Sequence, residues 1–205
     1  MIKNNNPGKF IVFEGLDGSG QTTQAGLLKD LLQKNGFKVV LTKEPTLDSE
    51  AGKKIRQALD KVIKVEPCSL QELFTQDRKE HLENLVVPAI KEGKMVISDR
   101  YFFSTFAFGA SDGLDLEWLI KINNEFLLPD LAFILKVSPK TCVKRIERRG
   151  EGKKLFEKEK KLVRVWETYA ILPNRFKNVY MIDGEKPIEE VFTEVKALVH
   201  SKFNL

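Results

Sequence analysis

Phe10-Ile-Val-Phe-Glu-Gly-Leu-Asp-Gly-Ser-Gly-Gln-Thr-Thr-Gln24 is the stretch whose reading decides the fold. Phe10–Phe13 is a short unbroken apolar run, the signature of a strand buried on both faces of a parallel sheet. From Thr22 onward Ala25, Leu28, Leu31 and Leu32 recur at helical spacing until Gly36 stops them. Between strand and helix lies Gly15-Leu16-Asp17-Gly18-Ser19-Gly20-Gln21-Thr22-Thr23. It matches the phosphate-binding pattern Gly-x-x-x-x-Gly-Lys-Thr at every fixed position except the lysine, which is Gln21. The glycines let the backbone curl so that successive N–H groups converge on one anion, and the helix N-terminus adds its positive dipole end. Thr22 brings a hydroxyl where a magnesium ligand belongs. A plain glycine-rich turn is the alternative, and the position between strand and helix argues against it. Gln21 supplies an amide dipole in place of a full charge. Losing one preorganised donor costs on the order of 10²–10³ in rate. Either other cations compensate, or the site binds a nucleotide with little turnover.

Outward from this loop the pattern alternates. Phe37–Leu41, Met95–Ser98, Leu131–Val137 and Val179–Ile182 read as further strands. Asp48–Leu59, Leu70–Ile90, Leu116–Leu128, a segment opened by Ser138-Pro139, Leu155–Leu172 and Pro187–His200 read as helices. This order predicts an α/β, three-layer sandwich: a five-stranded parallel sheet covered by helices on both faces. No linker or repeat divides residues 1–205, so a single domain is expected. The one local shift in composition, Glu147–Lys161, is dense in charge and reads either as a solvated helix end or as a mobile lid over phosphates.

The chain has 205 residues, 42% of them apolar and 31% charged, which is ordinary for a folded domain that needs no disulfide staples. Its two cysteines, Cys68 and Cys142, suit a reducing compartment. Met1–Gly8 is polar and no apolar run spans a bilayer, so a cytoplasmic location without membrane attachment is expected. The net charge of +5 is mild. No patch of basic residues interleaved with aromatics appears, and nucleic acid is not expected as a partner.

Further segments, taken in order with the first, resemble the thymidylate kinase family of P-loop kinases. Lys43-Glu44-Pro45-Thr46 is similar to its Arg-Glu-Pro segment, and Leu73-Phe74-Thr-Gln-Asp-Arg78 to its Leu-Phe-x-x-x-Arg helix. Asp99-Arg100-Tyr101-Phe-Phe-Ser104-Thr105-Phe-Ala107-Phe108 is similar to Asp-Arg-Tyr-x-x-Ser-x-x-Ala-Tyr, and Lys144-Arg145-x-x-Arg148-Arg149-Gly150 to the lid arginines. The resemblance implies transfer of a phosphoryl group from ATP to dTMP, with Mg²⁺, by a homodimer carrying a basic lid at about residues 145–158. It implies that Gly15–Thr23 hold ATP and that Thr22 and Asp99 hold the metal. Asp17, Arg100, Arg145 and Arg149 would serve the transfer, and Asp17 would touch the acceptor sugar or the metal. Pro45, Phe74, Arg78, Arg100, Ser104, Thr105 and Phe108 would hold dTMP. Arg100 suits a monophosphate because a guanidinium fork grips two oxygens. Phe74 would stack on thymine, or is plain core. Arg78 would reach the base or its phosphate, and Ser104 and Thr105 the base edge.

Two departures stand out. Phe108 lacks the tyrosine hydroxyl associated with choosing deoxyribose, and the lid's Asp-Arg-x-Glu is reduced to Lys154-Leu155-Phe156-Glu157. A lid arginine, Arg145 or Arg149, swinging over the γ-phosphate would offset Gln21. The acceptor phosphate is already anionic, so no general base is required. His81 and His200 are expected as exposed helix residues. The alternatives are a related nucleotide or nucleoside kinase, with Glu14 or Glu44 as base, and a nucleotide-binding protein that has lost catalysis.

Overall fold

The run Phe10–Phe13 sits inside a strand, Lys9–Gly15, whose side chains alternate between two cores. Phe10 and Val12 enter one, Ile11 and Phe13 the other, and all four are fully buried. That explains the unbroken apolar reading: both faces of this strand are covered. The computed structural model describes residues 1–148 and 155–204. In chain order the elements are β1 (Ile2–Lys3), β2 (Lys9–Gly15), α1 (Gln21–Lys34), β3 (Val39–Lys43), α2 (Glu50–Leu59) and α3 (Pro67–His81). A π-helical turn, Leu82–Val86, leads into α4 (Val87–Lys91). Then come β4 (Met95–Asp99), α5 (Phe102–Ser111), α6 (Leu116–Ile122), β5 (Leu127–Leu128), β6 (Leu131–Lys136), α7 (Pro139–Glu147), α8 (Leu155–Arg175), β7 (Val179–Asp183) and α9 (Ile188–Phe203).

The main sheet has the order β3-β4-β2-β6-β7, every pair parallel, with β2 central. Helices α1 and α9 cover one face through Ala25, Leu28, Leu32, Val191, Val195 and Val199. The α3–α4 run, α5 and α8 cover the other. Ser138 caps α7 from its side chain and Pro139 opens it, as the local sequence predicts.

Three expectations are corrected. The helix expected to run Leu116–Leu128 ends at Ile122; Leu127–Leu128 instead pairs in parallel with Ile2–Lys3. The reading of Leu70–Ile90 as one helix meets a π turn. Pro88 has no N–H for the carbonyl of Asn84, and the widened turn just before it absorbs that loss. His81 is 5% exposed and lies within hydrogen-bond distance of Glu44 and Thr42, whereas His200 is exposed as expected. Hydrophobic periodicity does not register a polar side chain turned inward, and His81 faces the same interior as Asp77 and Arg78.

Candidate active site

The C-terminal ends of β2, β3 and β4 lie side by side, and ligands of open parallel sheets gather at that edge. The loop Gly15–Gly20 turns off β2 there. Leu16 is fully buried and pins the loop to the core. Gly18 has φ +85°, and a Cβ on it would stand 2.8 Å from the carbonyl oxygen of Cys142 on α7. Gly20 (φ +103°) starts α1 in the left-handed region with no side-chain cap, so the first N–H groups of α1 have no acceptor from a capping side chain. Ser19 Oγ, buried in the same loop, has no hydrogen-bond partner. Unclaimed donors curled around one point suit a phosphate chain.

Thr22 and Thr23 are exposed at the start of α1. Thr22 donates its hydroxyl to Asp99 Oδ2 at 2.5 Å, and Lys43 Nζ stands 3.4 Å from the same oxygen. In β4 the parity that turns Met95 and Ile97 toward α1 also turns Asp99 toward it. One carboxylate and one hydroxyl suit Mg²⁺, which keeps waters and takes its remaining oxygens from phosphates.

Gln21 is 5% exposed and already engaged: its Nε2 donates to Gly15 O at 3.0 Å. The cation beside it is Arg100. That guanidinium donates to Asp17 Oδ1 at 2.7 Å, Ser104 Oγ at 2.8 Å, Gly15 O at 3.2 Å and Gln21 Oε1 at 3.4 Å. Burial opposes its charge, but Asp17, Tyr169, Glu14 and Asp99 outweigh that and hold its pKa above the ordinary value. Arg100 adopts φ +76°, a left-handed backbone that residues with a Cβ rarely adopt. The kink turns its side chain from β4 back over the loop.

Beside Arg100 opens a cavity of about 200 Å³. Pro45, Phe74, Arg78, Arg100, Ser104, Thr105 and Phe108 all line it, as does Asp17. The structure thus brings the expected acceptor residues together with one carboxylate of the loop. Phe74 is half-buried and belongs to neither core cluster, so it is a wall of the cavity. Phe108 carries the Arg100 guanidinium over its ring at 5.3 Å. Arg78 lies at the floor, 1% exposed, donating to Glu44, Asn123 and Thr105. Asp77 accepts from Thr46 N, Thr46 Oγ1 and Ser49 Oγ, which clips the segment carrying Pro45 onto α3. At the mouth Lys161 pairs with Asp112 at 2.8 Å.

Glu14, fully buried, faces the α5 and α8 side with Phe10 and Val12. Its oxygens accept from Tyr101 N, Ser104 N, Ser104 Oγ and Tyr169 Oη. Burial pushes its carboxyl up to about 7, against the opposing pull of Arg100 and these hydrogen bonds. Folded protein therefore keeps a proton, between the unfolded value near 4.5 and about 7, that the unfolded chain releases. This contribution is fully present below 4.5 and is lost as pH rises through about 7. Glu14→Gln removes the dependence and keeps the shape. Its unfolding free energy relative to wild type should rise by roughly 2–3 kcal/mol between pH 5 and pH 8. Denaturant melts of both proteins across that range measure it; parallel curves would show that Glu14 is ionised throughout.

On the other side of the loop a cavity of about 170 Å³ is lined by Gly18, Ser19, Gly20, Thr23, Gln24 and Arg145. Arg145 donates to Ser19 O at 3.3 Å and Gly184 O at 3.2 Å. It thus joins the loop to the turn after β7 and lines the cavity opposite the one beside Arg100. Arg149 and the centre of the expected lid lie outside the described residues. Sequence reasoning passed over Lys43 as a charge beside Asp99, and Tyr169 and Asn123 as partners of Glu14 and Arg78. It also passed over Gln71, which lines the cavity beside Arg100. Tyr169 and Asn123 carry no local signal. Gln71 carries one: it precedes Phe74 and Arg78 at helical spacing, on the same face.

The family model described as thymidylate kinase matches residues 13–195. A protein of Pyrococcus horikoshii named probable thymidylate kinase is 42% identical over 200 residues, covering 94% of this chain and 96% of the relative. One from Caldicellulosiruptor saccharolyticus, named thymidylate kinase, is 36% identical over 201 residues, again 94% and 96% of the two chains. One from Desulfotalea psychrophila, also named thymidylate kinase, is 41% identical over 162 residues, 78% and 80%.

Proposed function

The chain belongs to the thymidylate kinase family, and from that premise we propose that it transfers the γ-phosphoryl group of ATP to dTMP, giving dTDP and ADP. One observation carries the reading for this chain's own residues. Arg100 stands between the phosphate loop and a cavity lined by every residue expected to hold the acceptor, and it touches both sides.

ATP lies along Gly15–Thr23, and dTMP lies in the cavity with its base toward Phe74, Pro45 and Arg78. Asp17 is 60% exposed, so its ion pair with Arg100 exchanges readily for the acceptor phosphate. Arg100 then holds that phosphate beside the γ-phosphorus, and one of its anionic oxygens attacks in line. No side chain has to remove a proton. Thr22 and Asp99 would hold Mg²⁺, which supplies positive charge to the transferring group when bound. Arg149 and the basic residues around it would close over the phosphates. A homodimer fits the exposed apolar side chains Leu59, Val62 and Ile63. The two unpaired cysteines fit the cytoplasm. No helix among the described residues is long and apolar enough to cross a membrane.

In this arrangement Arg100 supplies much of the charge that Gln21 withholds. Gln21→Lys is therefore expected to raise kcat by about tenfold, less than the 10²–10³ of a donor added to an uncharged site. It should also lower the melting temperature of the nucleotide-free protein, because a second cation then crowds Arg100. Coupled ADP release with dTMP, dUMP, ribosylthymine monophosphate, dCMP and thymidine as acceptors tests both proteins. Clear wild-type turnover preferring dTMP supports the proposal. Silence in wild type with activity in the variant would favour the second reading, which rests on Gln21: a nucleotide-binding protein on a kinase scaffold.

A further inference from the structure

Buried side-chain oxygens without a partner are Ser19 Oγ, Gln24 Oε1 and Gln71 Oε1 among the described residues. All three residues line the substrate cavities: Ser19 and Gln24 the one on the nucleotide side, Gln71 the one on the acceptor side. Native proteins seldom leave such atoms orphaned, and a bound ligand is one reason that they do. Ser19 already belongs to the phosphate loop. Gln71 has no assigned task.

Gln71 is 2% exposed on α3. It precedes Phe74 by one turn and Arg78 by two, so the three share the helix face that lines the cavity. Across from it, on α5, lies Gly109. A Cβ there would stand 3.4 Å from Gln71 Cδ and 2.8 Å from Leu119. The bare glycine is required by Leu119, and the Gln71 amide packs beside the same spot at ordinary contact distance. Leu70 and Phe74, which line the same cavity, carry no polar side-chain atom that could satisfy the amide.

A carboxamide presents one acceptor and one donor side by side. The imide edge of a pyrimidine presents the complement, an N3–H flanked by carbonyls. We propose that Gln71 reads the acceptor base, with Oε1 accepting the N3–H and Nε2 donating to the adjacent carbonyl. Gln71 alone would also pair with cytosine by turning its amide over. Arg78 on the same face removes that option, because a guanidinium only donates and a cytosine amino group offers it no acceptor. The pair therefore selects an imide base, thymine or uracil, over cytosine. This inference rests on the thymidylate reading and specifies how its acceptor is chosen.

The test uses Gln71→Leu, which keeps the bulk and removes both polar atoms, and Gln71→Met as an unbranched second variant. Calorimetric titrations with dTMP and with dCMP, kcat/KM for each, and thermal melts of the free proteins are compared with wild type. The expected result is a dTMP dissociation constant raised about tenfold, the effect of a lost hydrogen bond into a buried site. The dCMP constant should barely move, so the preference for dTMP shrinks by the same factor. The melting temperature should hold or rise, because a buried orphan has been replaced by an apolar group. Unchanged dTMP affinity and preference in either stable variant would overturn the inference. So would dTMP and dCMP affinities falling together with the melting temperature, since Gln71 would then only support the fold. Wild-type protein that binds no dTMP overturns the inference together with the thymidylate reading. The first two outcomes leave that reading standing.

Discussion

Arg100→Ala is expected to lower kcat/KM for dTMP by roughly 10³-fold while leaving ATP affinity within a few-fold of wild type. The guanidinium serves two sides at once, donating to the loop at Gly15 and to Ser104 at the cavity wall. In the proposed mechanism its loss removes the acceptor-phosphate grip and the charge beside Gln21 in one step. Most of the fall should appear in kcat, because the charge matters most when the phosphoryl group is in transit. The backbone allows a control. Arg100 has φ +76°, a conformation that costs a residue with a Cβ on the order of 1 kcal/mol or more and that glycine adopts without cost. Arg100→Gly should therefore be as inactive as Arg100→Ala and about 1 kcal/mol more stable. Steady-state kinetics and denaturant melts of both variants check this. An Arg100→Ala enzyme within tenfold of wild type would mean that another cation, such as Lys43 at 3.4 Å from Asp99, carries the transferring charge.

That kinked arginine shows what the sequence made legible and where legibility ended. Asp-Arg-Tyr after an apolar strand placed Arg100 at the ligand edge of the sheet, because the end of a parallel strand is a position that sequence order defines. The phosphate loop was legible for the same reason: strand, glycines and helix are contiguous. The residues from Pro45 to Phe108 that the family resemblance singled out line one cavity. Partnership across the fold was not legible. Glu14 is 155 residues from Tyr169, and Arg78 is 45 from Asn123. Nothing in the local pattern around either residue announces its partner. Inward polar residues were misread for a related reason. Of the stripe Leu73, Phe74, Leu82, Leu85 and Val86, Leu82 and Val86 are buried in the core as predicted, yet within α3 itself the buried residues are Gln71, Asp77, Arg78 and His81. Half-exposed Leu85 lies on the far side of that reading. A helix that lines a cavity buries polar residues beside its apolar ones, and hydrophobic periodicity registers only the latter.

Arg78→Met is expected to be the most destabilising single change at the site. Arg78 Nε stands 2.8 Å from Glu44 Oε2 with the two side chains 1% and 3% exposed. Its other nitrogens donate to Asn123 Oδ1 at 2.6 Å and Thr105 Oγ1 at 3.1 Å, and its face lies over the Tyr101 ring at 5.3 Å. Removing one partner of a buried ion pair costs about 3–5 kcal/mol, because the remaining charge stays out of water without compensation. For a chain of 205 residues that corresponds to a melting temperature lower by roughly 6–20 °C. The favourable geometry of the pair does not make it a stabiliser relative to an apolar pair, since desolvating two charges offsets most of their attraction. Arg78→Met combined with Glu44→Met should therefore recover much of the stability lost in the single variant. It should recover none of the dTMP binding, because the donors at the cavity floor are gone. ATP affinity should be retained throughout, as neither residue lines the nucleotide side. Thermal melts and separate titrations with dTMP and ATP distinguish these effects. A single variant that melts within 2 °C of wild type would show the guanidinium to be incidental to the fold; a double variant that still binds dTMP would remove Arg78 from base recognition and leave Gln71 and Thr105 to read the edge alone.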